Sequence, residues 1–86
     1  MFKKMRGIRL SYIKQGLIYF TCRDYANQPL KTQQKINNLC MEIGGEYYAA
    51  LRDIVISEKS IRQIAIEHYI EERTLYRLRK QFYEKW

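Results

Sequence analysis

The chain has 86 residues, 47% of them hydrophobic and 14% aromatic. That is too apolar for a disordered chain, too short for a second domain, and a poor fit to an enzyme, which needs a cleft and a supporting shell. Its net charge of +7 favours polyanionic partners, nucleic acid before membrane. The excess sits in residues 1–43, where eight Lys or Arg face only Asp24 and Glu42; residues 44–86 hold eight against seven acids.

The opening "MFKKMRGIR" carries Lys3, Lys4, Arg6 and Arg9 and no acid. Residues 1–9 read either as a basic arm that adds phosphate contacts or enters a minor groove, or as a frayed, solvated terminus. The apolar run from Gly16 to Cys22 is short for a signal peptide and lacks a small-residue cleavage site. No stretch approaches a membrane span, so a soluble, cytoplasmic protein with no membrane partner is expected.

Residues 10–56 are expected to form a helical support. Ile13, Leu17 and Phe20 recur at spacings of four and three, with Tyr12, Gly16 and Tyr19 beside them. This predicts a helix over residues 10–24 with that wide apolar stripe turned to the core. Gly16 marks a weak point or a close helix contact. Pro29, the only proline, sits in the turn-like "DYANQPLKT". Thr32 offers an N-cap to a second helix burying Ile36, Leu39, Cys40 and Ile43, and Gly44-Gly45 stops it. Tyr47, Ala50, Leu51, Ile54 and Val55 then follow at helical spacing. A strand at Ile54-Val55-Ile56 has nothing to pair with. Cys22 and Cys40, the only cysteines, form no CxxC and have one histidine between them for company. They read as reduced, buried thiols rather than metal ligands, and no cofactor or metal is expected.

Residues 57–86 carry the most specific pattern. Ser60 with Gln63 makes a capping box for a helix bearing Ile61, Ile64, Ala65 and His68. The apolar phase shifts near Tyr69, so a last helix begins at Glu72 or Arg73, runs to about Lys85 and buries Leu75, Leu78 and Phe82. His68 reads as a partly buried packing residue. The expected fold is all-α: a compact bundle of about five short helices in one domain, residues 1–86, ending in a helix-turn-helix over 57–86. No paired carboxylates, nucleophile-base pair or phosphate-cradling glycine loop appears, so no catalytic residue is named.

The segment "IAIEHYIEERTLYRLRKQFYEKW" resembles the helix-turn-helix of the fourth region of bacterial sigma factors. With the upstream "EIGGEYY" turn, the arrangement is similar to small phage or mobile-element transcription regulators of the RinA and ArpU kind. The sigma pattern is met at Ile64, Ala65, Ile70, Glu72, Arg73, Thr74 and Leu75. It is departed from where His68 replaces a leucine, Tyr69 the corner glycine and Glu71 a capping serine. A left-handed corner is costly for a bulky residue, so a wider corner is expected at Tyr69. The resemblance implies that Arg73, Thr74, Tyr76, Arg77 and Lys80 face base edges in a major groove, Arg77 first among them. It places Lys59, Ser60, Arg62 and Gln63 against phosphate.

The function expected is therefore sequence-specific binding of double-stranded DNA by a transcriptional regulator. The rivals are a small helical adaptor or inhibitor that binds a host protein such as RNA polymerase, and a DNA-packaging protein like a terminase small subunit. Tyr83 and Trp86 are offered as an oligomer surface.

Overall fold

The structure, a computed structural model, describes residues 2–86; the first residue of the expected basic arm lies outside it. Five α-helical segments make up the described chain: α1 (Tyr12–Arg23), α2 (Leu30–Gly44), α3 (Tyr48–Ile56), α4 (Ile61–His68) and α5 (Glu72–Lys85). Single 3-10 turns at Tyr25–Asn27 and Gly45–Tyr47 lead into α2 and α3. The fold is all-α, as the capping signals and helical spacings required, and no helix of the described residues is long and apolar enough to cross a membrane.

α3 is the hub, touching α1, α2, α4 and α5. Its Ala50, Leu51, Ile54 and Val55 are buried, and Ile36 and Cys40 of α2 meet them with no exposed surface. α5 closes the core with Leu75, Leu78, Phe82 and Tyr83. Arg52 of α3 donates to the Asn37 side chain at 3.2 Å, and Asn37 donates to the Tyr25 hydroxyl at 2.7 Å, so the turn before α2 is tied to α3.

Four local expectations are corrected. α2 begins at Leu30 with Pro29 as N-cap, not at Thr32, whose own N–H already returns to the Pro29 carbonyl. Proline lacks the N–H a helix interior would need, and at the N-cap that N–H has no helical partner to lose. Gly44 stays helical, and Gly45 alone takes the left-handed φ of 53° that turns the chain into α3. The capping box at Ser60 closes one way only: its hydroxyl accepts from the Gln63 N–H at 3.1 Å, while the Gln63 side chain reaches on to Glu67. Tyr83 is buried and Trp86 lies half-buried against Phe82 under the Lys35 ammonium, so Tyr83 is not available as an oligomer surface.

The largest correction concerns α1. Its expected core stripe is the exposed one: Ile13 is 72%, Leu17 63% and Phe20 58% exposed. The buried face is Gln15, Gly16, Ile18 and Cys22. Residues 2–10 explain the choice, because they lie as a strap along that helix. The Met5 N–H donates to the Gln15 side-chain oxygen at 2.7 Å, and the Gln15 amide donates to the Leu10 carbonyl at 3.0 Å and towards Ile8 and Met5. A buried polar side chain is tolerated when its bonds are made, and Gln15 has its oxygen taken by Met5 and three carbonyls within reach of its two amide hydrogens. Phe2 fills the space left by Gly16, its ring 4.8 Å from that of Tyr19. Gly16 thus marks a close contact, with the strap rather than with a helix.

Candidate nucleic-acid interface

α4 and α5 are joined by Tyr69, Ile70 and Glu71. Tyr69 holds φ 56° and ψ 44°, the left-handed conformation, and the N–H groups of Tyr69 and Ile70 both return to the Ala65 carbonyl. The corner is therefore as tight as a glycine corner would be, and the expected widening does not occur. The Tyr69 side chain itself is 96% exposed and adds no packing to the corner. Ile70 packs down on the core, and Ile64, Ala65, Leu75 and Leu78 hold the two helices together.

That seating fixes which side of α5 meets solvent. With Leu75, Leu78 and Phe82 buried, Arg73, Tyr76, Arg77 and Lys80 fall together on the opposite face, and all four are exposed. Thr74 is half-buried at the edge of that face rather than on it. None of Arg73, Arg77 and Lys80 sits in an ion pair among the described residues. Glu84, farther along, accepts from the Arg9 N–H at 2.9 Å and so fastens the strap to α5. Glu71 and Glu72 stand at the α5 N-terminus, where the helix dipole favours negative charge; Glu71 makes no side-chain cap bond.

The residues opening α4 divide. Ser60 is occupied as the N-cap and Arg62 is exposed. Lys59 and Gln63 are engaged: the Lys59 ammonium lies 2.8 Å from the Glu67 carboxylate, and Gln63 donates to its other oxygen at 3.2 Å. These bonds hold Lys59 above the usual lysine value and Glu67 below the usual carboxylate range, in each case through their mutual hydrogen bond first. Three of the four groups expected at phosphate thus already have partners within the protein, and Arg62 is the one left without. His68 is half-buried as expected, and its Nε2 lies 2.9 Å from the Asp53 carboxylate, linking α4 to α3. Donor atoms of Asp53, Glu67 and His68 gather within 4.8 Å, an arrangement a metal ion can use, but the cation beside two of them is Lys59.

Lys3, Lys4, Arg6 and Arg9 are exposed on the strap, held by Phe2, Ile8 and Gln15 rather than carried on a free arm. Cys22 and Cys40 are free, buried thiols; burial pushes both up to about 12. Sequence reasoning passed over two basic residues. Arg23 ends α1, stacks 4.5 Å from the centre of the Tyr19 ring and donates to the Ile54 and Val55 carbonyls at the α3 C-terminus. Arg79 stacks 5.0 Å from the centre of the Tyr76 ring. The signal for Arg79 was the spacing of three from Tyr76; for Arg23, which answers carbonyls far along the chain, there was none. No known protein family, curated protein or solved structure matches this chain.

Proposed function

We propose that the protein binds double-stranded DNA sequence-specifically, as a phage or mobile-element transcriptional regulator, with α4 and α5 acting as a helix-turn-helix and α5 entering the major groove. One observation carries the reading: Arg73, Tyr76, Arg77 and Lys80 share one exposed face of α5 while its other face is locked into the core. A helix so held has little backbone entropy left to lose on binding, although its exposed side chains must still be ordered. Arg77 reads a base, since a guanidinium grips guanine O6 and N7 together, and Arg62 holds a phosphate. The mechanism needs no catalysis and no cofactor.

The test is binding to duplex DNA over a salt series, after selection of preferred sites from a random pool. Affinity falls steeply with salt on every duplex, with a specific excess on the selected site. Arg77→Ala costs roughly 1–3 kcal/mol on that site and relaxes preference at one base pair. Arg62→Ala weakens all duplexes alike and lowers the salt slope by about one. A parent protein that binds no duplex at low salt sinks the reading. The second reading, a helical adaptor for a host protein, is favoured by a different observation, the exposed Ile13, Leu17 and Phe20 on α1.

A further inference from the structure

α1 and the strap leave an apolar groove open to solvent. Tyr12, Ile13, Leu17 and Phe20 wall it, and the buried Phe2 ring, packed over Gly16, forms its floor. The space is about 310 Å³, and among its lining residues only Tyr12 and Thr21 carry a polar side-chain atom. All four wall residues are more than half exposed. Side chains of that size present on the order of 500 Å² of apolar surface, where an exposed patch marks an interaction site. The charge around the groove has one sign. Residues 1–23 hold Lys3, Lys4, Arg6, Arg9, Lys14 and Arg23 and no acid. Lys3 and Lys4 follow Phe2 on the strap, and Lys14 stands beside Ile13 and three positions before Leu17. These three lysines are exposed, and none is in an ion pair among the described residues.

We propose that this groove docks an acidic amphipathic helix of a partner protein, its apolar ridge seated over Phe2 and its flanking carboxylates meeting Lys3, Lys4 and Lys14. Ile13, Leu17 and Phe20 stand at i, i+4 and i+7, the spacing that packs one helix against the apolar face of another. The rim selects the sign of the partner, because like charges brought together repel. A second copy of this chain fails on charge and on area. It brings the same lysines to the rim, and about 500 Å² falls short of the roughly 800 Å² each partner buries in a stable pair of folded proteins. A bilayer fails on shape: an interfacial helix inserts a protruding apolar face, whereas the Phe2 floor is recessed and the opposite face of α1 is locked in the core. α4 and α5 take no part in the groove, so its occupation is independent of whether α5 contacts DNA.

The test uses the whole chain and a dye-labelled model helix with leucines along one face and glutamates on its flanks, followed by fluorescence anisotropy. Saturable binding that weakens as salt rises is expected. The same helix with lysine for glutamate, or with its order scrambled, should not bind. Leu17→Ser should weaken binding by roughly tenfold or more, and the double variant Lys3→Glu/Lys14→Glu should weaken it several-fold and flatten its salt dependence. Arg77→Ala, on α5, should bind the helix as the parent does. Both groove variants should melt with the parent, since the replaced side chains are exposed. Leu17→Ser should also keep whatever duplex binding the parent has, which separates this groove from the DNA reading. No binding of the glutamate helix, equal binding of the lysine helix, or parental binding in Leu17→Ser overturns the proposal. So does an equal loss in Arg77→Ala, which would place the helix on α5. A large drop in Tm in Leu17→Ser overturns it by making Leu17 a core residue. Sedimentation equilibrium showing a dimer that Leu17→Ser dissociates overturns it in favour of a second copy. Binding to anionic phospholipid vesicles that the same variant abolishes overturns it in favour of a membrane.

Discussion

Replacing Tyr69 by glycine should stabilise the protein. The residue holds φ 56° and ψ 44°, a region that places Cβ against the following carbonyl and costs an L-residue roughly 1–2 kcal/mol. Glycine removes that cost. It gives back about 0.4–1 kcal/mol through the greater freedom of the unfolded chain. A third contribution, lost burial, is close to zero, because the tyrosine side chain is 96% exposed. The balance is a gain of about 0.5–1 kcal/mol, or a rise in Tm of roughly 3–6 °C for a domain of this size. Thermal unfolding followed by far-ultraviolet circular dichroism reads it directly. Tyr69→Ala serves as the control: it removes the ring but keeps Cβ, so it should melt close to the parent. If the glycine variant melts at or below the parent, the corner is not left-handed and the tight turn between α4 and α5 is wrong.

Gln15→Leu keeps the volume of a buried side chain but strands the Met5 N–H and the Leu10 carbonyl. A cost of about 1–3 kcal/mol per stranded group, about 2–6 kcal/mol for the two, lowers Tm by at least roughly 10 °C, and the Met5 amide loses protection from hydrogen exchange; unchanged protection there would refute the strap. The thiols give a pH signature. Cys22 and Cys40 ionise near their ordinary 9.0 when unfolded and at about 12 when folded, so the native state holds their protons longer. Their contribution is fully present below pH 9 and is lost as pH rises towards 12; Tm should be level through neutral pH and fall above 9. Modification of either thiol by a disulfide reagent at pH 8 should proceed no faster than unfolding exposes it, and rapid labelling of the folded protein would contradict the burial.

Local signals carried most of the helices. Ser60 caps α4, the shift in phase near Tyr69 ends it, and the core positions Leu75, Leu78 and Phe82 orient α5, all from spacing alone. α1 shows where such reasoning stops. It has two stripes at helical spacing, Ile13-Leu17-Phe20 and Gln15-Ile18-Cys22, and hydrophobicity selects the first. The protein buries the second because residues 2–10 bring backbone groups that satisfy Gln15, and a strap's docking is invisible to a helical period. The exposed face of α5 was legible for the same reason its core was. Tyr69 was misjudged in the opposite sense: intrinsic preference argued against a left-handed tyrosine, and the packing of Ile70 on one side and Ala65 on the other imposes it.

Trp86, the only tryptophan, gives this molecule a built-in optical probe of one contact. Its indole packs at a tilt against Phe82 and lies 4.0 Å from the Lys35 ammonium, so its emission depends on whether the last turn of α5 is docked on α2. Helix ends open before whole domains do. Emission that changes ahead of the circular dichroism signal on heating therefore reports detachment of that turn, while coincident changes report a single cooperative event. The indole is also remote along α5 from Arg73 and Arg77. A ligand on that face that shifts the emission must do so through the helix itself, which turns a spectroscopic accident into a measure of how rigidly α5 is held.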